Sequence, residues 1–293
     1  MKNRFVFGLL AGLVVLALPL ATARQSAVAQ SAETAVRPAY VTSSRCVACH
    51  EEVAARWRDS HHAWAWRTPS PETVLGDFDG ASLTLDGVTM SFRHDDDGYK
   101  MVTEKADGTT TVYDVVGTVG VTPLQQYLVE KGSGHLQVPD AAWDSVAGRW
   151  YDLYPGQDID ESDGLHWLRS YKSWNARCAE CHATDFSKNY DPQSHSYASS
   201  EAEIGVGCEA CHGPGEAHVA WAEAPATYDP SAWPESDAKG LVARFSAGRP
   251  DVEIQLCAGC HSRREPLGAA SPLPGTPYAD SYLLSTMRPG LYQ

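Results

Sequence analysis

Hydrophobic and polar residues follow three different patterns along this 293-residue chain. The N-terminus carries two basic residues, an uncharged apolar run over residues 5–20 and then small residues. This layout is typical of a secretory signal peptide, and we expect residues 1–29 to be removed by cleavage. The run is shorter than the ~20 residues that span a bilayer, so an uncleaved membrane anchor is disfavoured. The first cysteine, Cys46, lies beyond any cleavage site, so we expect no lipid anchor.

The next segments predict a helix and a small sheet. Residues 51–66 contain no Gly or Pro, and their apolar residues recur at near-helical spacing, which predicts a helix that continues from Cys46. Over residues 75–120, glycines separate short alternating runs rich in β-branched and aromatic residues. We predict antiparallel strands there, at about 80–120. Over residues 123–154 we predict a short helix or loop, then an extended aromatic segment.

All eight cysteines fall in four copies of one pentapeptide, Cys-x-x-Cys-His. The cysteine pairs are Cys46 and Cys49, Cys178 and Cys181, Cys208 and Cys211, and Cys257 and Cys260, followed by His50, His182, His212 and His261. Cys-x-x-Cys-His is the attachment signal of haem c, in which the thiols bond to the porphyrin and the histidine becomes an axial iron ligand. We therefore predict four covalently attached haem c groups, each with its iron.

Two kinds of alternative exist for the cysteine pairs: a zinc or thiol-redox site, and a structural disulfide framework. Zinc ribbons and thiol-redox sites also use Cys-x-x-Cys, and an exported protein can use cysteines as a disulfide framework. Neither needs a histidine directly after the second cysteine in all four copies, so both are disfavoured.

Histidine is the favoured sixth ligand for these irons. Beyond residue 29 the chain has three methionines, two of them in predicted strands, but seven histidines outside the pentapeptides. We predict one of His61 and His62, together with His166 and His218, as distal ligands, and favour His94, His135 and His195 less. Two imidazoles give a lower potential than a histidine and a methionine.

Geometry limits what some candidates can do. On a continuous helix, His61 would lie about 16 Å from His50 on the same side. Neither His61 nor His62 could then reach the iron of His50, but either could reach a neighbouring haem. Gly213-Pro214-Gly215 ends a helix and frees the chain to turn His218 toward another iron.

The charge of the chain bears on its partners. Its formal net charge of −14 repels nucleic acid and would attract proteins with basic surfaces, although solubility alone also explains such a charge and is favoured over a specific docking role. Because haem c is attached outside the bacterial cytoplasm, we expect a periplasmic protein whose partners are periplasmic or membrane-bound redox proteins.

The sequence resembles the multihaem cytochromes c of the cytochrome c-552/4 family, and in particular the cytochrome module often linked to tetratricopeptide repeats. Six segments carry the resemblance, which extends over about residues 40–292: Cys46-Val-Ala-Cys-His50, Trp57-Arg-Asp-Ser-His-His62, Val121-Thr-Pro-Leu-Gln-Gln-Tyr127, Trp174-Asn-Ala-Arg-Cys-Ala-Glu-Cys-His182, Gly207-Cys-Glu-Ala-Cys-His-Gly-Pro-Gly215 and Cys257-Ala-Gly-Cys-His-Ser-Arg-Arg264. The resemblance implies covalent haems, largely bis-histidine ligation and periplasmic redox function. Similar modules usually continue past the region that matches Tyr292, with further haem motifs and then repeats.

These observations combine into one expected architecture. We predict a mainly α multihaem cytochrome c over residues 30–293, with much irregular loop structure wrapped around four haems and a small antiparallel β insertion. The expected function is single-electron transfer without a catalytic residue. The alternatives are a reductase or oxidase with one five-coordinate haem that binds substrate, and a subunit that docks into a larger assembly by its β insertion.

Overall fold

The computed structural model describes residues 39–225, 227, 238–243, 245 and 250–285. They belong to one unit of the fold, which begins at Pro38. The expected signal peptide, residues 1–29, lies outside the described residues. No helix within them is long and apolar enough to cross a membrane.

The largest element is an antiparallel sheet between residues 79 and 152. Within the described residues its strands are β1 (Asp79–Leu85), β2 (Val88–Asp95), β3 (Gly98–Glu104), β4 (Thr110–Val119), β5 (Leu124–Gly132), β6 (His135–Gln137), β7 (Ala141–Asp144) and β8 (Arg149–Asp152). They follow the order β1-β2-β3-β4-β5-β7-β8, and β6 pairs with β5. Since β1 also contacts β8, the sheet is nearly closed.

Alternating side chains explain the first strands and their register. Met90 and Phe92 on β2 are buried, and Phe92 pairs with the buried Met101 of β3. Side chains of a strand point to opposite faces in turn, so these residues share one face, where they pack with Phe78 and Trp167. The strands predicted within residues 80–120 are therefore confirmed.

The expectation of a mainly α protein is wrong, because strands continue through residues 124–152 and the described residues contain more strand than helix. Buried glutamines hid the alternation in this region. Gln125 is fully buried on β5, where its side chain donates to Thr73 O (2.9 Å) and Gly120 O (3.0 Å) and accepts from Tyr127 (2.6 Å). A buried amide is stable only with such partners, and one of them, Thr73, lies 52 positions away in the chain.

The helices of the described residues are short, and some of them contain pentapeptide residues. They are α1 (Ser43–Val47), α2 (Glu51–Arg58), α3 (Trp174–Arg177), α4 (Ala179–His182), α5 (Cys208–His212), α6 (Glu216–Glu223), α7 (Pro250–His261) and α8 (Tyr278–Ser281), with a 3-10 turn at Ser170–Lys172. The predicted helix over residues 51–66 ends at Arg58, and turns follow through residue 66. Because the chain also turns between α1 and α2, the spacing argument from a continuous helix does not apply to His61.

Three short strand pairs complete the architecture of the part of the chain that the structure describes. They are β9 (Ala183–Thr184) with β12 (Glu203–Ile204), β10 (Tyr190–Asp191) with β11 (Ser196–Tyr197), and β13 (Arg264–Pro266) with β14 (Tyr282–Leu284).

A second apolar cluster joins the sheet to the second pentapeptide. Leu128 of β5 is buried with Trp66 and with Trp174, which begins α3. The two indole rings meet edge to face with centroids 5.3 Å apart, an arrangement that contributes about 0.5–1.5 kcal/mol beyond the buried area. A side chain at Gly117 would come within 2.6 Å of the Trp66 indole nitrogen, so the close contact requires glycine there.

Candidate haem-binding site

Each pentapeptide lies in or beside a helical turn, and we number the four sites in chain order. In site 1 the amide of Cys49 donates to Cys46 O (3.2 Å) and the amide of His50 donates to the same carbonyl (3.0 Å). Sites 2 and 3 coincide with α4 and α5, and site 4 forms the last turn of α7. A helical turn brings residues three and four apart onto one face, which collects both thiols and the imidazole on one side.

Site 1 lies directly against site 3. The thiol of Cys46 lies beside that of Cys208, and a hydrogen bond between the two raises the pKa of Cys46 and lowers that of Cys208. The buried Ser43 hydroxyl accepts the Cys208 amide (3.0 Å) and donates to Glu203 (2.7 Å). The two sites thus form a pair although Cys46 and Cys208 are 162 positions apart in the chain.

Glu209, inside the third pentapeptide, strengthens this pairing. Its carboxylate is 1% exposed and accepts backbone amides from Val41 (2.9 Å), Thr42 (2.7 Å) and Gly215 (2.6 Å). Hydrogen bonds from backbone N–H groups satisfy a buried carboxylate that has no cation beside it. Glu209 therefore holds the chain before α1 and the start of α6 against site 3.

Site 2 lies against site 4 in the same way. The thiols of Cys181 and Cys260 are hydrogen-bonded to each other, and this bond raises the pKa of Cys260. Arg264 forms a buried ion pair with Glu180 (3.3 Å), and Tyr282 donates to the same carboxylate (3.0 Å). The guanidinium also lies 3.4 Å from the Cys181 sulfur. A fork of donors can hold two groups at once, so Arg264 ties the end of site 4 to site 2.

His218 faces His50 of site 1. The centroids of the two rings lie 6.1 Å apart, and the ring planes are 24° from parallel. The Nδ1 of His218 lies 2.9 Å from the carbonyl oxygen of Lys239, which can only accept, so Nδ1 carries the proton and Nε2 is free to bind a metal. Gly213, with φ of +80°, provides the turn that leads the chain from α5 to α6.

His62 faces His261 of site 4. Their ring centroids lie 6.0 Å apart with planes at 62°. The turn that carries His62 is fixed to the chain near site 3, because the amide of Val206 donates to His62 O (3.1 Å) and the Trp57 indole donates to Val206 O (2.9 Å). The segment after site 1 thus reaches site 4.

Both separations fit an iron between two imidazoles. A metal–nitrogen bond of about 2.0 Å and about 1.1 Å from nitrogen to ring centroid give about 6.2 Å between centroids on opposite sides of one metal. The two observed values lie within about 0.2 Å of this estimate. The residues present therefore fit bis-histidine haem at sites 1 and 4.

The proximal histidines of the other two sites are kept neutral by burial. Burial lowers the pKa of His182, and a hydrogen bond to Ala65 O (2.8 Å) partly opposes this. Burial also lowers the pKa of His212, as do the nearby His218 and His50. Metal binding requires the neutral form. Among the described residues, no second imidazole faces His182 or His212 as in sites 1 and 4.

A cavity of about 560 Å³ lies between sites 2 and 4. His182 and His261 line it, as do His61 and His62. This volume is within the range of cofactor pockets, and the lining places the histidines of two sites and both distal candidates around one space. Within the described chain, no group of three or more His, Cys, Asp or Glu side chains is arranged to hold a metal ion by itself.

The remaining predicted ligand, His166, lies apart from the four sites. It is buried in a second cavity of about 350 Å³ lined by sheet residues and by residues 152–168, and no pentapeptide residue lines that cavity. His94 stacks on Tyr99 of the sheet, and His135 is hydrogen-bonded to His195 O (2.6 Å). The assignment of His166 to an iron stays a prediction.

Sequence reasoning missed the carboxylates that pair the sites. Glu180 and Glu209 stand in the variable positions of their pentapeptides, next to the thiols. Their position was the one available signal, but an acidic residue in a short helix is usually solvated. Only the distant partners, Arg264 for one and the 41–42 amides for the other, reveal their role.

A family model of cytochromes matches the parts of the chain that carry three of the four pentapeptides. The family model described as cytochrome c554 and c-prime matches residues 45–78 and 151–213, which include sites 1, 2 and 3. The unmatched stretch between the two segments is nearly the whole sheet, β1 to β8. No curated protein matches the chain.

A solved structure, the outer cell wall cytochrome OcwA, has a similar fold. The TM-score is 0.51 at 21% sequence identity, over 84% of this chain and 45% of that one. The chain thus spans about half the length of this neighbour, and at such low identity the likeness concerns the fold.

The pentapeptides contain every cysteine of the chain, and a second imidazole faces the histidine of two of them at a distance that fits an iron between the rings. These features define a c-type cytochrome that binds haem c covalently. The family match points to a narrower group, because over residues 45–78 and 151–213 the chain is similar to the cytochromes described as c554 and c-prime. The sequence-based identification as a cytochrome of this kind is confirmed.

Proposed function

We propose that this protein is a periplasmic tetrahaem cytochrome that carries single electrons between redox partners through low-potential, largely bis-histidine haems. The observation that carries the proposal is the facing of His50 by His218 and of His261 by His62. Two imidazoles leave no open position on an iron and favour a low potential, which suits electron transfer rather than substrate binding.

The pairing of the sites supports a relay. Site 1 contacts site 3, site 2 contacts site 4, and His62 links the segment after site 1 to site 4. When bound, the haems supply one-electron oxidation and reduction of iron. The protein residues hold the imidazoles, exclude water and fix each haem relative to the next.

The charge supports the choice of partners. A net charge of −14 favours encounters with basic docking surfaces, and it disfavours nucleic acid. Periplasmic and membrane-bound redox proteins with basic patches are therefore the proposed donors and acceptors.

Mass spectrometry of the purified holoprotein tests the base of the proposal. We expect four covalently attached haems, the loss of residues 1–29 and a reductive titration that ends below the potentials of histidine–methionine cytochromes. Fewer than four haems, or a predominantly high potential, would contradict it.

Sites 2 and 3 favour a second candidate, a reductase or oxidase. His182 and His212 lack a facing imidazole among the described residues, and His182 lines the 560 Å³ cavity. An iron with one protein ligand can bind a small substrate. Electron paramagnetic resonance of the oxidised protein distinguishes the candidates, because a high-spin signal that disappears on adding cyanide supports the enzyme and an entirely low-spin spectrum excludes it.

A further inference from the structure

Two glutamates inside the pentapeptides are buried, and the structure neutralises only one of them with a cation. Glu180, in site 2, forms a buried ion pair with Arg264 (3.3 Å). Glu209, in site 3, is 1% exposed and accepts hydrogen bonds from backbone amides. No ion pair between described residues includes Glu209. Sites 1 and 3 therefore contain a negative charge that is not offset, whereas the charge at sites 2 and 4 is balanced by Arg264.

The Cys46 thiol responds to this charge. The hydrogen bond to Cys208 and burial are the main causes that raise the pKa of Cys46, and the charges of Glu209 and Glu203 raise it further. No cation within the described residues opposes them at this thiol. Glu209 belongs to site 3 in the sequence, but its field thus reaches site 1 as well.

The Cys181 thiol experiences a different field. The hydrogen bond to Cys260 lowers the pKa of Cys181, burial opposes it, and the charge of Arg264 lowers the pKa further against the opposite effect of Glu180. A positive charge therefore acts between sites 2 and 4 together with the negative one.

A buried charge changes the potential of a nearby haem. Oxidised haem iron carries one more positive charge than reduced iron, so a buried carboxylate that is not offset favours the oxidised form and lowers the reduction potential. Away from water, this effect is weakened little by solvent or by dissolved salt.

We propose that Glu209 lowers the reduction potentials of sites 1 and 3 below those of sites 2 and 4, so that electrons pass from the first pair of sites to the second. In each transfer one iron of sites 1 and 3 is oxidised from ferrous to ferric, and one iron of sites 2 and 4 is reduced from ferric to ferrous. The electron donor then docks beside sites 1 and 3, and the acceptor beside sites 2 and 4. The inference rests on the proposed function, since it requires haem at all four sites.

A reductive titration of the holoprotein, followed by absorbance, tests the role of Glu209. In Glu209→Gln the two lowest of the four potentials should rise, each by about a tenfold change in the equilibrium constant, which equals about 59 mV for one electron. Glu216→Gln is the matched control, because Glu216 is exposed and accepts the amide of Ala39 in the same N-terminal segment. It should leave all four potentials unchanged. No rise in Glu209→Gln, or an equal rise in the control, would overturn the proposal.

The sign of the shift separates the charge of Glu209 from its structural role. If the variant only loosened the fold, water would enter and stabilise the more highly charged ferric iron, and the potentials would fall. The rise should also persist in 1 M salt, because a buried charge is screened little. A fall, or a rise that disappears in high salt, would overturn the proposal.

Variants of Arg264 test the other pair of sites and do not depend on the folding of Glu209→Gln. Arg264→Gln leaves the charge of Glu180 without its cation, so the two higher potentials should fall by about a tenfold change in the equilibrium constant. Arg264→Lys keeps the positive charge and should restore them. No fall in Arg264→Gln, or the same fall in both variants, would overturn the proposal.

Failure of the proposed function is distinguishable from failure of this inference. The function fails in the unmodified protein, if it lacks four haems of mainly low potential. The inference fails in a protein that has these haems, if the variants do not move the potentials in the stated directions.

Discussion

Replacing His218 by alanine is the most direct test of the ligand geometry. The ring centroids of His218 and His50 lie 6.1 Å apart, which is close to the separation that one iron between two imidazoles requires. In His218→Ala the iron held by His50 loses its second imidazole. We expect that iron to become five-coordinate or to take up water, to change from low to high spin, and to shift to a higher potential.

The size of the effect follows from the number of sites. One of four sites is altered, so about a quarter of the total iron should change spin state while the rest stays unchanged. The fold should survive. The side chain contributes one hydrogen bond to Lys239 O, worth about 1 kcal/mol, against about 5–15 kcal/mol for a whole domain.

Electron paramagnetic resonance with spin quantitation measures the change, and added imidazole should restore the low-spin signal by filling the space left by the side chain. His94→Ala is the control, because His94 is an exposed histidine that stacks on Tyr99 of the sheet. A His218→Ala spectrum identical to that of the unmodified protein, or the same change in His94→Ala, would refute the reasoning.

Three further predictions concern site 4 and the pairing of sites 1 and 3. His62→Ala should produce high-spin iron at site 4, whereas His61→Ala should leave that iron low-spin in resonance Raman spectra; the reverse result would reject the facing of His62 and His261. Glu209→Gln should lower the free energy of unfolding by about 2–4 kcal/mol in a denaturant titration, because an amide cannot accept hydrogen bonds from all the backbone N–H groups that the carboxylate binds. The exposed Glu216→Gln is the control, and an equally small loss in both variants would contradict this prediction. Gly213→Ala should lower the free energy of unfolding by more than the control Gly148→Ala, for which we expect a loss of about 1–2 kcal/mol. Both glycines have positive φ, but only at Gly213 would the new Cβ collide with a neighbour, Val242, so equal losses would contradict this reasoning.

The chemistry of attachment could be predicted from the sequence because it is local. The two thiols and the proximal histidine of each site lie within five residues, and one turn of chain brings them together. The first strands of the sheet were also predictable, since Val88–Asp95 and Gly98–Glu104 alternate clearly and are joined by a tight Asp-Gly turn. The extent of the sheet was not, because buried glutamines such as Gln125 stand where an apolar residue would mark the inner face.

The candidate histidine ligands also show which assignments the sequence could predict and which needed the structure. Composition pointed to histidine as the sixth ligand, and the turn after Gly213 pointed to His218. Yet His61 and His62 are neighbours with equal claims in the sequence, and the ring of His62 is the one that faces His261. His166 had flanking aromatics like a ligand, but these pack in a cavity of the sheet.

The sequence by itself determined that this protein is a cytochrome with sites for covalent haem, because a five-residue pattern contains all the atoms that attachment needs. The tertiary structure decided which sites are neighbours and which imidazole faces which iron position. Those relations join residues that are far apart in the chain, such as Cys181 with Cys260, 79 positions apart, and His50 with His218, 168 positions apart. Buried carboxylates, satisfied by distant amides and by Arg264, hold these regions together, and no local pattern in the chain encodes such contacts.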